Sequence, residues 1–278
     1  MKKSLRLLAA FATLGSFSLV HAETTSESSL AYRYGSHFTE PARPDDITKN
    51  IITLNHLRNS DTGIHFLSLE GRFSDENDPA KNSTAGAREY LAFYRYQLPA
   101  GKVLDQPISL GPIRDLAFMV GADLTDKNTQ FAPQKRALLA GPVIKFDVPG
   151  FLDVGLLSYQ EQNHKGIPHT PHPNLTFDNT WMLSATWGIP VSSGKTPAVF
   201  QGLFNRLGAK GNDFNNHPTA AETLLRTSLM FDISQSVGLP RKKLFIGVGY
   251  EWWQNKYGNP TGMGTSTRTA TFNCETFF

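Results

Sequence analysis

The stretch TRTATFNCETFF (267–278) ends the chain and alternates between two kinds of side chain. Successive side chains of a β-strand point to opposite faces. Ala270 and Phe272 therefore share one face, and Thr271 and Asn273 share the other. This stretch predicts a β-strand with one face suited to lipid and one suited to water.

The preceding stretch KLFIGVGYEWWQN (243–255) repeats the alternation, with Ile246 and Val248 on the apolar face and Gly247 and Glu251 on the other. The same parity recurs at Trp181, Leu183, Ala185, Trp187 and Ile189. Aromatic residues near strand ends would form the interfacial girdles of a membrane barrel: Tyr32, Tyr96, Trp181, Trp187 and Trp252. A soluble β-sandwich also alternates, so the architecture needs a second argument.

Alternation of this kind predicts about twelve strands, and no segment sustains the spacing of an amphipathic helix. The candidate strands lie near residues 28–35, 47–57, 63–72, 88–97, 113–123, 138–147, 151–161, 177–189, 197–207, 223–233, 243–255 and 267–278.

The connections between these strands alternate mostly between short and long, as periplasmic turns and extracellular loops do in outer-membrane barrels. The short ones are 58–62, 148–150, 190–196 and 234–242, and the long ones are 37–46, 73–87, 124–137, 162–176, 208–222 and 256–266. The connection at 98–112 is long where a turn is expected. An even number of strands closes without a free edge. We therefore predict an all-β chain, a single antiparallel up-and-down transmembrane β-barrel of about 12 strands.

The first 22 residues have the features of a secretory signal peptide. Lys2, Lys3 and Arg6 precede an apolar stretch at 7–20, and Ala22 ends a Val-His-Ala cleavage pattern. The apolar stretch is shorter than the roughly 20 residues that a membrane-spanning helix needs. We expect residues 1–22 to be removed and residues 23–278 to form the barrel in the bacterial outer membrane.

Composition excludes two classes of protein. Without residues 1–22, the chain has 24 basic and 24 acidic residues, so it has no global basic field for nucleic acid. No later apolar run approaches ~18 residues, which argues against a helical membrane protein. The single cysteine, Cys274, cannot form an intrachain disulfide.

Many charged residues fall on the predicted inner face: Arg33, Glu70, Arg72, Glu89, Arg95, Arg114, Asp123, Arg226, Asp232 and Glu251. A packed apolar interior could not hold so much unpaired charge, so a wet lumen is expected. These residues either brace the barrel wall as ladders of ion pairs or line a pore and select its solutes.

Three histidines lie close together in a predicted loop, at His164, His169 and His172. Histidine clusters can bind zinc. Here the spacing is irregular, prolines keep the segment open, and no cysteine or carboxylate completes a site. The sequence therefore predicts no metal site and no cofactor.

An enzymatic barrel would need a serine and a histidine together at the lipid face, oriented by a third polar group. The candidates are His56 with Asn55 and His65 with Ser68. Neither set forms a recognisable constellation, so no enzyme is predicted, although a lipid-modifying barrel is kept as a third alternative.

Several segments carry a resemblance to a known family: LAYRYGSHFTEP (30–41), DITKNI (46–51), LNH (54–56), SDENDPA (74–80), GAREY (86–90) and YR (94–95). The first three resemble the start of the nucleoside-specific channel-forming (Tsx-type) outer-membrane proteins, and the family-like pattern continues in the later ones. The resemblance is sharpest over residues 30–96. It is thinner beyond that range, although the strand count and the terminal Phe278 agree with a monomeric twelve-stranded barrel of this family to the end.

The resemblance implies passive uptake of a small nucleoside-like solute through a lumen that offers weak, successive sites. Within the matching segments the residues expected in the lumen or its loops are Arg33, Tyr34, Phe38, Glu40, Asp78, Glu89, Tyr94 and Arg95. Phe38 and Tyr94 are the expected stacking groups, and the charged residues would form a lumen ladder or anchor loops. For Glu40 and Asp78, each followed by proline, a turn-fixing role is favoured over solute contact. The alternative is a plugged barrel in outer-membrane lipid whose loops bind a phage or host ligand.

Overall fold

The computed structural model describes residues 24–167, 173–193 and 196–278. The predicted signal peptide, residues 1–22, lies outside this range. So do His169 and His172 of the histidine-rich loop.

The described residues form thirteen β-strands. These are β1 (Thr25–Phe38), β2 (Ile47–Ser60), β3 (Gly63–Ser74), β4 (Arg88–Pro99), β5 (Ile113–Lys127), β6 (Gln134–Phe146), β7 (Phe151–His164), β8 (Asn174–Thr176), β9 (Thr180–Ser193), β10 (Thr196–Leu207), β11 (Glu222–Asp232), β12 (Leu244–Gln254) and β13 (Ser266–Phe277).

Twelve of these strands form one closed antiparallel barrel, and β8 is a short addition that pairs with β7. Consecutive strands of the wall pair with each other, including β6 with β7. After β7 the next wall strand is β9, and these two also pair. The seam is closed by β1 and β13, whose register runs from Ser29 opposite Phe277 to Tyr34 opposite Phe272. All twelve predicted strands, and the predicted fold class, are therefore confirmed.

Alternation of side chains sorts the wall into two faces. On β13, Thr267, Thr269 and Thr271 are buried toward the lumen, whereas Ala270 and Phe272 are exposed on the outside. Through the middle of the described strands the outward positions hold no Asp, Glu, Lys or Arg. Exposed outward residues include Leu30, Ile52, Leu54, Leu69, Phe118, Val120, Leu138, Leu156, Phe200, Val248 and Phe272. An uncharged apolar belt thus surrounds a polar interior.

The two ends of the barrel differ in the length of their connections. At one end the turns are tight, as at Gly150, where φ is 80° and a Cβ would lie 2.0 Å from the Gly188 carbonyl oxygen. The start of β1 and the end of β13 lie at this end, where the Phe278 N–H donates to the Ser28 carbonyl at 3.0 Å. The other end carries the long loops, named here L1 (39–46), L2 (75–87), L5 (208–221) and L6 (255–265).

The long connection after β4 contains a short helix, α1 (Ala100–Leu104), instead of additional strands. The Asp115 carboxylate accepts from the Gly101 N–H at 3.1 Å, and Lys102 donates to Asn59 at 2.6 Å. The connection is therefore folded against the short-turn end. None of the helices in the described ranges is both long and apolar enough to cross a membrane.

The single cysteine provides a test of the seam. Tyr32 lies directly opposite Cys274 in the β1–β13 register. Opposed residues of antiparallel strands have Cα atoms about 4.5–5.5 Å apart, within the range that a disulfide spans. We expect Tyr32→Cys to cross-link to Cys274 on oxidation, detected by mass spectrometry of the unfolded protein.

Tyr34→Cys is the matched control, because Tyr34 faces Phe272 in the same register. If Tyr34→Cys formed the disulfide with Cys274 to the same extent as Tyr32→Cys, the described seam register would be wrong.

Candidate functional site

The centre of the lumen holds a network of arginines and glutamates from five strands, referred to as the central ion-pair cluster. Its members are Arg33 on β1, Glu70 and Arg72 on β3, Glu89 on β4, Arg226 on β11 and Glu251 on β12. Each of these positions has the inward parity of its strand, because a side-chain period of two places alternate residues in the lumen.

Two glutamates organise the cluster. Glu251 accepts from Arg33 at 2.6 Å and from Arg226 at 2.9 Å. Glu70 accepts from Arg72 at 2.6 Å and lies 3.3 Å from an Arg226 nitrogen. Arg72 also reaches Glu89 at 3.2 Å, so three cations face three anions.

The contact between Arg226 and Glu70 crosses the lumen. Their strands, β11 and β3, are separated by four strands on one side of the barrel and six on the other. Arg72 of β3 likewise lies 6.0 Å from the ring centre of Trp253 on β12. Glu251 and Glu89 are 2% and 3% exposed, so side chains fill the lumen at this level in this conformation.

One donor in the cluster is not used. The Arg33 Nη2 group is buried and has no hydrogen-bond partner among the described residues, although a Glu70 oxygen lies 3.6 Å away. A buried guanidinium N–H normally finds an acceptor. This group is therefore available to water or to a hydroxyl-bearing solute.

A less buried row lies next to the cluster on its short-turn side. Asn55, Ser68 and Phe93 are paired across β2, β3 and β4 and face the lumen. Asn55, Phe93 and the neighbouring inward Phe66 are partly exposed. Their inward parity relative to Glu70 and Glu89 is a sequence signal that could have identified Phe66 and Phe93 as the aromatic lumen residues.

A second charged group, the Glu40 cluster, closes the long-loop end. Glu40 of L1 binds Lys49 at 2.5 Å, Lys256 of L6 at 3.2 Å and Lys127 of β5 at 3.3 Å. Lys127 also binds Asp78 of L2 at 2.8 Å. Three loops and two strand ends are thereby joined through one buried carboxylate.

The three lysines determine the charge state of Glu40. Burial alone would raise the pKa of Glu40, but Lys256, Lys49 and Lys127 hold it well below its ordinary value. Lys256 in turn lies 4.7 Å from the Trp253 ring centre, which adds a cation–π contact inside the mouth. The carboxylate is therefore charged whenever the surrounding solution is near neutral.

A third contact ties L5 to the opposite part of the wall. Lys210 donates to Glu161 of β7 at 2.5 Å and lies 4.4 Å from the Phe177 ring centre. Below it, an apolar group occupies the lumen side of β5–β7, β9 and β10: Ala117, Met119, Ala137, Leu139, Val143, Leu157, Tyr159, Met182 and Leu207. The lumen is therefore packed on this side and polar on the other.

The structure brings six of the eight sequence-predicted site residues into these clusters or their surroundings. Arg33 and Glu89 belong to the central cluster, Glu40 and Asp78 meet through Lys127, and Arg95 binds Asp123 at 2.5 Å. Phe38 also faces inward, but it is 2% exposed and packs with Ile47 and Ile51. No face of Phe38 is thus open for stacking on a solute.

The other two residues lie outside the lumen. Tyr34 is 41% exposed and Tyr94 is 40% exposed, both on the outer wall. The expectation that Tyr94 stacks inside the lumen is wrong, because its parity on β4 is opposite to that of Glu89 and Arg95. Arg114, expected on the inner face, is exposed beside the β6–β7 turn, where it donates to the Gly150 carbonyl at 3.3 Å.

The two pairs considered for catalysis, His56 with Asn55 and His65 with Ser68, do not form. His56 and His65 point outward, whereas their proposed partners Asn55 and Ser68 point inward. His164 contacts Asn174 at 2.8 Å. Within the described ranges, no group of three His, Cys, Asp or Glu residues is arranged to hold a metal ion.

The geometry defines a class of protein: an up-and-down β-barrel with a charged, partly filled lumen and an uncharged apolar outer belt. No family model matches the sequence, and no curated protein matches it. The fold is similar to solved barrels at low identity. One is the translocator domain of the autotransporter NalP from Neisseria meningitidis, with 12% identity, coverage of 92% of this chain and 89% of that chain, and a TM-score of 0.46.

The NanC porin structure is similar over 91% of this chain and 100% of that chain, with 11% identity and a TM-score of 0.42. A BenF-like porin from Pseudomonas fluorescens Pf-5 is similar over 92% of this chain and 98% of that chain, with 8% identity and a TM-score of 0.32. Scores this low do not distinguish one kind of barrel from another. The resemblance to nucleoside channels stays a hypothesis.

Removing one charge from the central ion-pair cluster should lower the stability of the barrel more than removing a buried carboxylate whose partners are neutral. Replacing Glu251→Gln leaves Arg33 and Arg226 without their shared carboxylate, and breaking a buried pair in this way costs roughly 3 kcal/mol or more. The free energy of unfolding should fall by that amount in urea titrations of the refolded barrel.

The matched control is Glu275→Gln, a buried lumen carboxylate that is held by Ser29 at 2.7 Å and Gln201 at 3.2 Å. Because those partners are neutral, an amide can replace the carboxylate at a cost of about 1 kcal/mol. Equal losses in the two variants would contradict the assigned role of Glu251.

The Glu40 cluster predicts a pH dependence. The folded-state pKa of Glu40 lies below its ordinary value of 4.5. The contribution of the Glu40 carboxylate to the free energy of unfolding is therefore complete above pH 4.5, and it is lost as the pH falls through the folded pKa. The Glu40→Gln variant should therefore be less stable than the wild type at pH 7, by roughly 3 kcal/mol. The difference should shrink at about pH 3.

Urea unfolding of the wild type and of Glu40→Gln, at pH 7 and at about pH 3, measures this difference in the free energy of unfolding. Glu76→Gln is the control, since Glu76 is exposed on L2. A difference between wild type and Glu40→Gln that stayed constant with pH would refute the assigned charge state of Glu40.

Proposed function

We propose that this protein is an outer-membrane channel for the passive uptake of small polar solutes, in which the central ion-pair cluster is the narrowest and most selective point. The observation that carries the proposal is a lumen lined by charged, polar and aromatic side chains, with Asn55, Phe66 and Phe93 partly exposed beside the cluster. A barrel interior needed only for stability could be filled by apolar residues, since buried ion pairs add little net stability.

The outer belt supports the membrane placement. A strand can cross lipid only where every backbone polar group is paired, and a closed barrel satisfies that requirement. Charged residues on a lipid-facing wall are costly near the midplane, and the central outward positions of the described strands avoid them. The long loops would then face outward from the cell and the short turns the periplasm.

Nucleoside-like compounds are the solute class that we propose. An aromatic base can stack on Phe66 or Phe93, and ribose hydroxyls can bond with Asn55 and with the unused Arg33 Nη2 group. Such sites are weak one by one, and weak sites allow a solute both to enter and to leave. The resemblance of residues 30–96 to nucleoside channels points to the same class.

A second function is favoured by a different observation. The lumen is crossed by the Arg226–Glu70 contact, and L1, L2 and L6 are joined at the mouth through Glu40. A barrel that stayed closed in this way would be a plugged scaffold whose loops present a surface to a phage or host ligand. Conductance distinguishes the two functions.

The test is single-channel conductance of the refolded mature protein in a planar bilayer, titrated with adenosine and thymidine against glucose. We expect measurable conductance that nucleosides reduce in a dose-dependent way, while glucose has little effect. Removing the crossing cation by Arg226→Ala should raise the conductance, because it widens the lumen at its narrowest level.

Phe93→Leu separates selectivity from conductance. Stacking on an aromatic ring is worth about 1–3 kcal/mol for a base. Nucleoside block should therefore weaken by about fivefold or more in this variant while the open conductance stays similar. Conductance indifferent to nucleosides would indicate a general pore, and no conductance in either the wild type or Arg226→Ala would favour the plugged scaffold.

A further inference from the structure

A cleft on the outer wall lies at the short-turn edge of the apolar belt. Its volume is about 270 Å³, and its lining residues are His56, Arg58, His65, Leu67 and Tyr94. An adjoining cleft of about 340 Å³ shares Arg58 and His65 and extends to the β2–β3 turn, where it includes Asp61. Neither cleft opens into the lumen, because these strand positions have the outward parity.

Strand register places the polar groups of the cleft in two rows. Ser28, His56, Leu67 and Tyr94 are paired across β1 to β4 and form the first row. Ser26, Arg58, His65 and Tyr96 form the next row toward the short turns. Polar and cationic side chains are thus concentrated on four neighbouring strands at one depth.

The rows on the other side of the cleft are apolar. Leu30, Leu54 and Leu69 are paired across β1, β2 and β3, and they are 45%, 42% and 43% exposed. The surface therefore changes from exposed leucines to Arg58 and two histidines within four strand residues. A molecule with an apolar tail and an anionic head matches this change.

The two imidazole rings are held in place by their neighbours. His56 Nδ1 lies 2.9 Å from the Ser28 hydroxyl, and His65 Nδ1 lies 2.8 Å from the Tyr94 hydroxyl. The His65 ring also packs on Tyr96, with ring centres 4.8 Å apart. When the Tyr94 hydroxyl donates to Nδ1, the ring proton is on Nε2, which then acts as a donor in the cleft.

Arg58 supplies a permanent charge. It is exposed, and it forms no ion pair within 4 Å in the part of the chain that the structure describes. A guanidinium group binds phosphate oxygens through two parallel N–H donors, and the low dielectric at a membrane surface strengthens that contact. The positive charge at this depth is therefore left for a ligand.

We propose that this cleft binds the phosphodiester headgroup of a phospholipid from the periplasm-facing leaflet, with the acyl chains along Leu30, Leu54 and Leu69. Arg58 and the His65 Nε2–H bind the phosphate, and Tyr94 fixes the orientation of His65. The ligand is a bound lipid and no bond is made or broken. The inference rests on the membrane placement proposed above, but it does not depend on channel activity.

The experiment is native mass spectrometry of the refolded mature protein in detergent, titrated with phosphatidylglycerol. The double variant Arg58→Gln and His65→Gln should lower the affinity for phosphatidylglycerol about tenfold, as expected for losing charge-assisted hydrogen bonds. The matched control is Arg114→Gln, an exposed arginine at the same end of the barrel but outside the cleft, which should bind as the wild type does.

Diacylglycerol with the same acyl chains tests the headgroup, and it should bind at least about tenfold more weakly than phosphatidylglycerol. Equal binding of the two lipids, or equal binding of phosphatidylglycerol by the wild type and the double variant, would overturn the proposal. Urea unfolding in vesicles, run on the same proteins, shows whether each variant still folds and inserts. Failure of insertion in the wild type would refute the membrane placement, which is a separate outcome.

Discussion

The pairing of β1 with β13 is the constraint on which the rest of the structure depends. Every one of the twelve wall strands then has two neighbours, so the backbone N–H and C=O groups of the wall are paired without help from water. Closure also gives every strand an inside and an outside, and alternation assigns each side chain to one of them. The apolar belt and the charged lumen follow from that single arrangement.

Closure brings charges together that are far apart in the sequence. Arg33 and Glu251 are 218 residues apart and their side chains meet at 2.6 Å, and Glu70 and Arg226 are 156 residues apart. Arg33, Glu70 and Glu251 are buried and Arg226 is partly buried, so the cost of each charge is offset only by a partner of opposite sign. This mutual dependence explains why three arginines and three glutamates occur as one network and why the lumen is narrow there.

The two ends of the barrel have different chemistry because their connections differ in length. Long loops reach over the mouth and meet at Glu40, where lysines from three parts of the chain converge on one carboxylate. At the opposite end the turns are tight and do not cover the outer wall. His56, Arg58 and His65 face outward there. The same fold thus presents a polar mouth with joined loops at one end and a cationic cleft on the outer wall at the other.

The sequence by itself determined the strands, their parity and the pattern of short and long connections, because a period of two and local turn residues are readable within a few positions. It also placed Arg33, Glu89 and Arg95 in the lumen correctly. It misplaced Tyr94, whose side chain points to the face of β4 opposite to Glu89 and Arg95, and it misplaced Arg114, which lies beside the β6–β7 turn.

Only the tertiary structure decided which charges pair, that Arg226 reaches Glu70 across the lumen, and that Phe38 is covered while Phe66 and Phe93 are open. Contacts of this kind depend on the stagger and diameter of a closed barrel, which no single strand encodes. Local chemistry therefore fixes the wall, and closure of the wall fixes the site.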